Sequence, residues 1–143
     1  VMTDPQLINI AQAPMLNFNK RDWDGIRSCT TTDFVYEDVA ANRKIEGVDQ
    51  VIEAWQAWIV AFPDIHANVL NSFVCKANVV CDETLVSGTH TGPMQTPDEV
   101  IPATGKSLNV RSCRIVEIEG ERVKSIRHYF DMMTMMQQLG LAG

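Results

Sequence analysis

The chain has 143 residues, 45% of them apolar, with twelve Lys/Arg against eighteen Asp/Glu for a formal net charge of −6. That length fits one domain over residues 1–143, able to bury about 70% of the surface its unfolded form exposes, and the apolar content excludes wholesale disorder. The acidic balance argues against nucleic acid and anionic membrane surfaces as partners, and the densest basic spots, Lys20-Arg21 and Arg43-Lys44, are only pairs.

No apolar run is long enough to span a bilayer. The first residues carry Asp4 and no basic stretch, so no secretory leader is expected. Cysteines stand at 29, 75, 81 and 113, with neither a C-x-x-C pair nor zinc-ligand spacing. Four reduced, mostly buried thiols in a cytoplasmic protein are the expectation. No phosphate-binding glycine loop, nucleophile elbow or His-x-x-x-His occurs, so neither metal nor cofactor is expected and any chemistry must come from side chains.

In chain order, Leu7, Ile10, Ala11 and Phe18 follow helical spacing, with Asp4 as N-cap and Pro5 in the first turn. Pro14 is expected to kink or interrupt this helix. Asp22 caps a short second helix holding Trp23 and Ile26. Residues 33–38 read as a strand, followed by a polar turn around Asn42-Arg43. Val48, Val51, Ile52, Trp55, Ile59 and Phe62 recur at three- and four-residue steps, which predicts a helix opened by Gly47 and stopped by Pro63. Strands follow at 65–76, 78–94, 107–119 and 123–131, with a tight turn at Glu119-Gly120-Glu121-Arg122 and a proline-rich loop before 107. Residues 132–139 return to helical composition and end at Gly140.

Helices segregated ahead of a strand meander predict an α+β fold. The sheet, antiparallel or mixed, must curl around the N-terminal helices into a cone with an apolar cavity at its open end.

Three segments carry a resemblance: Ala61-Phe62-Pro63-Asp64-Ile65-His66; Ser87-Gly88-Thr89-His90-Thr91-Gly92 with Pro102-Ala103-Thr104-Gly105-Lys106; and His128-Tyr129-Phe130-Asp131-Met132-Met133 running into Gln137-Gln138-Leu139-Gly140-Leu141. Their order and spacing resemble the SnoaL-like polyketide cyclases, or ester cyclases, of the nuclear transport factor 2-like superfamily of cone-shaped α+β barrels. The resemblance runs from about Asp4 to Leu141.

Asp131 closes the last strand among Tyr129, Phe130, Met132 and Met133. Read from the residues, it is either a carboxyl with a pKa raised by apolar surroundings or the N-cap of the following helix. The resemblance implies the first, with Asp131 as the acid/base. His90 shares a strand face with Val80, Val86, Gly88 and Met94; it either holds a substrate oxygen or is a core histidine bonded to backbone. His128 and His66 are assigned structural or surface roles, His128 facing away from Asp131.

The family often places an Asp or His on the third long strand, but this chain has neither between Val110 and Val116. Cys113 takes that place in the expected register, with Arg111 on the same face. Arg111 or Arg127 could pair with Asp131 and hold it as an anion. Trp55, Trp58 and Phe62 are either core or an aromatic wall for a flat substrate. Tyr36 and Tyr129 offer hydroxyls, and Met94 lines the mouth.

The resemblance implies a cofactor-independent cyclase performing an intramolecular aldol-type ring closure on a hydrophobic polyketide-like ester. Asp131 would take the proton, and His90, with Arg111, would hold the enolate. The alternatives are a hydrolase or isomerase in the same pocket, or a non-catalytic small-molecule-binding dimeric domain. A homodimer is expected through the outer sheet face, with Ile126 and Phe130 projecting outward.

Overall fold

Four helices pack against a curved six-stranded sheet in a computed structural model that describes residues 1–142. Helix α1 (Asp4–Lys20) starts from Thr3 rather than Asp4 as its cap. The Thr3 hydroxyl accepts from the Gln6 N–H at 3.3 Å, and the Gln6 side-chain oxygen accepts from the Thr3 N–H at 2.8 Å, a reciprocal capping box. Pro14 does not interrupt α1, contrary to expectation. It removes one rung of the hydrogen-bond ladder but lies on the buried stripe with Leu7, Ala11 and Met15, whose packing holds the helix together.

Asp22 caps α2 (Trp23–Cys29), accepting from the Gly25 N–H at 2.8 Å. Strand β1 (Thr30–Asp38) begins earlier than expected, at the β-branched Thr30-Thr31-Thr32. The polar turn expected around Asn42-Arg43 is followed by a short strand, β2 (Arg43–Glu46), which pairs with β1. Helix α3 (Val48–Ala61) runs as the periodicity predicts, burying Val51, Ile52, Trp55 and Ala61.

Then come β3 (His66–Lys76), β4 (Val79–Thr89), the two-residue strands β5 (Met94–Gln95) and β6 (Val100–Ile101), β7 (Ser107–Glu119), β8 (Arg122–Phe130) and α4 (Met132–Gln138). The strand expected over 78–94 stops at Thr89, because the chain turns there to pack on α3. The Gly92 N–H donates to Ala61 O at 3.1 Å, and a Cβ on Gly92 would lie 1.9 Å from Val60 O, so only glycine permits the approach.

The main sheet has the order β2-β1-β8-β7-β4-β3, with β1 and β8 parallel and the other pairs antiparallel. The α+β expectation stands, and the sheet is mixed. Inward-facing residues share even numbers: Phe34, Tyr36 and Asp38 on β1, Val80, Asp82 and Thr84 on β4, Val110, Ser112, Arg114 and Val116 on β7. Ile126, His128 and Phe130 of β8 point the same way, against the core and the cavity. One apolar cluster gathers Phe34, Tyr36, Trp55 and Ile126; a second gathers Phe62, Ile65, Leu108, Val110 and Met135. All four cysteines are free, but Cys75 is exposed and the others half-buried, where burial was expected.

Candidate active site

A cavity of about 110 Å³ draws its walls from both clusters, with Tyr36 and Trp55 on one side and Ile65, Leu108, Val110 and Met135 on the other. A polar row crosses this otherwise apolar interior. Successive register partners are Ser72 and Asp82, Asp82 and Arg114, Arg114 and His128, then His128 and Asp38, so five strands contribute one polar residue each. Asp38, Arg114 and His128 line the cavity.

Each member is held differently. Asp38, at the end of β1, is 6% exposed and accepts from the Ala41 N–H at 3.1 Å. Burial is the largest influence on its carboxyl and raises its pKa, while the Ala41 N–H and the Arg43 charge oppose that rise in part. His128 Nδ1 lies 2.7 Å from the Tyr36 hydroxyl, and its Nε2 is buried without a partner. Burial, assisted by the Arg114 charge, pushes His128 down to about 3, so the ring is neutral at ordinary pH. Burial likewise drives the Tyr36 phenol upward, so it stays protonated.

Asp82 is sealed from solvent, accepts from the Ser72 hydroxyl at 2.6 Å and lies 3.6 Å from the Arg114 guanidinium. Ser72 in turn accepts from the Gln12 side chain of α1 at 2.9 Å. One row further along, Thr84 and Ser112 are hydrogen-bonded to each other.

Several expected site residues lie elsewhere. Asp131 is exposed, outside the cavity, and caps α4: it accepts from the Met133 N–H at 3.0 Å and the Thr134 hydroxyl at 2.7 Å. The Thr134 hydrogen bond, joined by backbone N–H groups, lowers its pKa, the reverse of the expected rise. Neither arginine pairs with it; Arg127 bonds Glu117 at 2.8 Å.

His90 is fully buried outside the cavity wall, stacked on Phe62 at 5.1 Å, with Nδ1 3.0 Å from the Thr104 hydroxyl and accepting from the Thr104 N–H at 3.3 Å. It is the backbone-bonded core histidine of the second reading. Phe62 and Met94 are core residues behind the wall, whereas Trp55, Trp58 and Tyr36 do line it. His66 is exposed at the end of β3 and also contributes to the wall.

Arg111, Cys113 and Tyr129 stand on the outward face. The expected register was one residue out, and a slip of one exchanges the two faces of a strand. The same slip turns Ile126 and Phe130 inward rather than outward, and brings His128 to the cavity.

Sequence reasoning missed Asp38, Arg114 and the cavity role of His128. A signal was present: on β7 the apolar residues Leu108, Val110, Val116 and Ile118 share a parity, and Ser112 and Arg114 interrupt that series without leaving it. Asp38 follows Phe34 and Tyr36 in the same way. A polar residue in phase with an apolar series is a buried polar residue.

Among the described residues, no three His, Cys, Asp or Glu side chains converge as metal ligands. Among the described residues, no helix is long and apolar enough to cross a membrane. The site can therefore offer a buried carboxylate, a neutral imidazole–phenol pair and a guanidinium facing an apolar hollow.

A curled mixed sheet closed by helices around an apolar cavity is the ketosteroid isomerase-like fold. A protein of that fold from Catenulispora acidiphila DSM 44928, in complex with trimethylamine, superposes with a TM-score of 0.75 at 16% identity, covering 97% of this chain and 95% of that one. The chain belongs to the SnoaL-like polyketide cyclase family, whose model matches residues 9–139. A SnoaL-like protein from Jannaschia sp. CCS1 matches with a TM-score of 0.85 at 18% identity over 100% of this chain and 99% of that one. An LEH-like epoxide hydrolase from M. tuberculosis matches at 0.72 and 17% identity, over 94% and 90%. No curated protein matches the chain.

Proposed function

We propose that the protein is a cofactor-independent acid/base enzyme acting on a hydrophobic carbonyl compound, in the cyclase or isomerase manner of its family, with Asp38 as the proton-transferring group. The observation that carries this reading is Asp38, a carboxylic acid residue only 6% exposed, in the wall of an apolar cavity. Burial raises its pKa above the ordinary carboxylate value, which makes it a better proton acceptor than a solvated aspartate.

Aldol-type ring closure of a polyketide-like ester is the form the family suggests. Asp38 removes a proton from the carbon beside a carbonyl, and the cavity brings the resulting enolate carbon to an acceptor carbonyl in the same molecule. Such positioning can contribute about 7–11 kcal/mol to lowering a barrier. The cavity, about 110 Å³, is smaller than an engineered one of ~150 Å³ that holds benzene, so at most one ring-sized portion of a substrate fits inside and the remainder lies at the mouth. We further infer a homodimer through the outward sheet face, where Leu70, Phe73 and Tyr129 are exposed.

Proton exchange tests the reading without a known substrate. Cyclohexanone in heavy water, followed by NMR, should exchange its α-protons faster with the protein than with buffer. Asp38→Asn should abolish the acceleration and Asp131→Asn should keep it. No acceleration by the unaltered protein, or full acceleration by Asp38→Asn, contradicts the reading.

A further inference from the structure

Proton removal by Asp38 leaves one charged group of the cavity without a task. Arg114 is 7% exposed, lines the cavity and occupies the centre of the polar row. Asp82 faces it from β4, Tyr36 and Asp38 lie on β1, and His128 lies beside it on β8. Asp82 Oδ2 lies 3.6 Å from Arg114 Nη2, close enough to balance the charge but too long for a hydrogen bond, and has no hydrogen-bond partner of its own, while Asp82 Oδ1 accepts from Ser72. Arg114 Nε and Nη2 are buried without a partner. Beside them, His128 Nε2 is buried and unpartnered too. In the tautomer in which the Tyr36 hydroxyl donates to Nδ1, the ring proton sits on Nε2 and that atom also seeks an acceptor.

A guanidinium only donates, so its partner must be an oxygen with lone pairs. An ammonium is repelled. A permanent carboxylate is disfavoured as well, because Asp82 already cancels the Arg114 charge and Asp38 stands in the same row. An oxygen that gains its negative charge as Asp38 loses one leaves the charge of the site unchanged.

We propose that Arg114 receives the ligand's oxygen and that the ligand is a ring-sized enolisable ketone or phenol, held as its enolate or phenolate. The inference rests on the Asp38 reading for the fate of the proton. The C–H or O–H bond of the ligand breaks, its electron pair stays on the ligand as the oxyanion, and the proton passes to the Asp38 carboxylate. No oxidant or reductant enters. The ligand's apolar body lies toward Trp58, Leu108 and Val110. A guanidinium aimed at a developing oxyanion in a water-poor site stabilises the charge more than water does.

The test uses 4-nitrophenol, whose neutral and ionised forms absorb at different wavelengths. In a buffer below the phenol's solution pKa, the unaltered protein should bind it with the spectrum of the phenolate. Binding with the neutral spectrum, or no binding, overturns the proposal. Arg114→Lys, and Arg114→Gln paired with Asp82→Asn to avoid a stranded carboxylate, should bind the phenol about tenfold more weakly and in neutral form, as expected for a lost charge-assisted hydrogen bond.

Asp38→Asn separates the two claims. Offered preformed phenolate above the phenol's pKa, this variant should still bind it through Arg114. Phenolate binding with Asp38-independent proton exchange sinks the Asp38 reading alone. Neutral binding with Asp38-dependent exchange sinks the Arg114 proposal alone.

Discussion

Asp38 and His128 are direct register partners across the parallel β1–β8 pairing, and both side chains line the same cavity. A raised carboxyl and a neutral imidazole therefore stand side by side on adjacent strands, with the Tyr36 hydroxyl 2.7 Å from the ring. Burial acts on both, and it favours the uncharged form of each.

The imidazole makes the fold acid-sensitive. In the unfolded chain a histidine titrates near 6.5, whereas folded His128 is pushed down to about 3. Between those values the unfolded state binds a proton that the folded state refuses. The stability His128 contributes is therefore complete above the unfolded value and is lost as pH falls toward the folded one. Urea denaturation at pH 7 and pH 5 should show a loss of up to about 2 kcal/mol from this group. His128→Gln, compared with itself across the same interval, should lose less; equal losses would mean that His128 does not stay neutral.

Asp38 carries the opposite sign. Its folded pKa is raised, so its stabilising contribution is present below the unfolded value and disappears as pH rises through the folded one. Asp38→Asn keeps an oxygen for the Ala41 N–H and removes the buried charge. At pH 7 its Tm should equal or exceed that of the unaltered protein, while α-proton exchange falls by about 10²-fold or more. A lowered Tm with retained exchange would reverse both assignments.

Asp131→Ala should do the converse. It deletes the cap of α4 and its bonds to Met133 and Thr134, so Tm should drop by a few degrees. Exchange should stay within about twofold, because no reacting group touches this carboxyl in a site built around Asp38. A large loss of exchange at unchanged Tm would return the acid/base role to Asp131.

Much of the architecture was legible because it follows from periodicity. The α3 stripe through Val51, Ile52 and Trp55 and the bounds of β7 at Ser107–Glu119 appear in the folded chain where spacing puts them. The site was less legible for two physical reasons. A strand alternates every residue, so placing Cys113 inward, where Ser112 and Arg114 belong, exchanged the whole lining of β7 for its outer face. Asp131 sits among apolar neighbours in sequence, but a strand end opening a helix leaves backbone N–H groups to satisfy, and capping won over burial. The row from Asp82 to Asp38 joins residues 44 positions apart through three strand pairings, a relationship only the sheet order supplies.

The outward face offers a check on assembly. Leu70, Phe73 and Tyr129 are 46%, 53% and 41% exposed, on the side of the sheet away from the cavity. Size-exclusion chromatography should give the mass of two chains, and Phe73→Glu should shift it to one without altering α-proton exchange. A single-chain mass for the unaltered protein would refute the dimer.

The central claim, that Asp38 titrates in a water-poor hollow, is tested most directly by carbon-detected NMR of protein labelled at the aspartate carboxyls. Across a pH series one resonance should titrate above the ordinary aspartate value of about 3.9 and vanish in Asp38→Asn. Should every aspartate titrate at or below that value, or the elevated resonance persist in the variant, Asp38 is not the proton-transferring group.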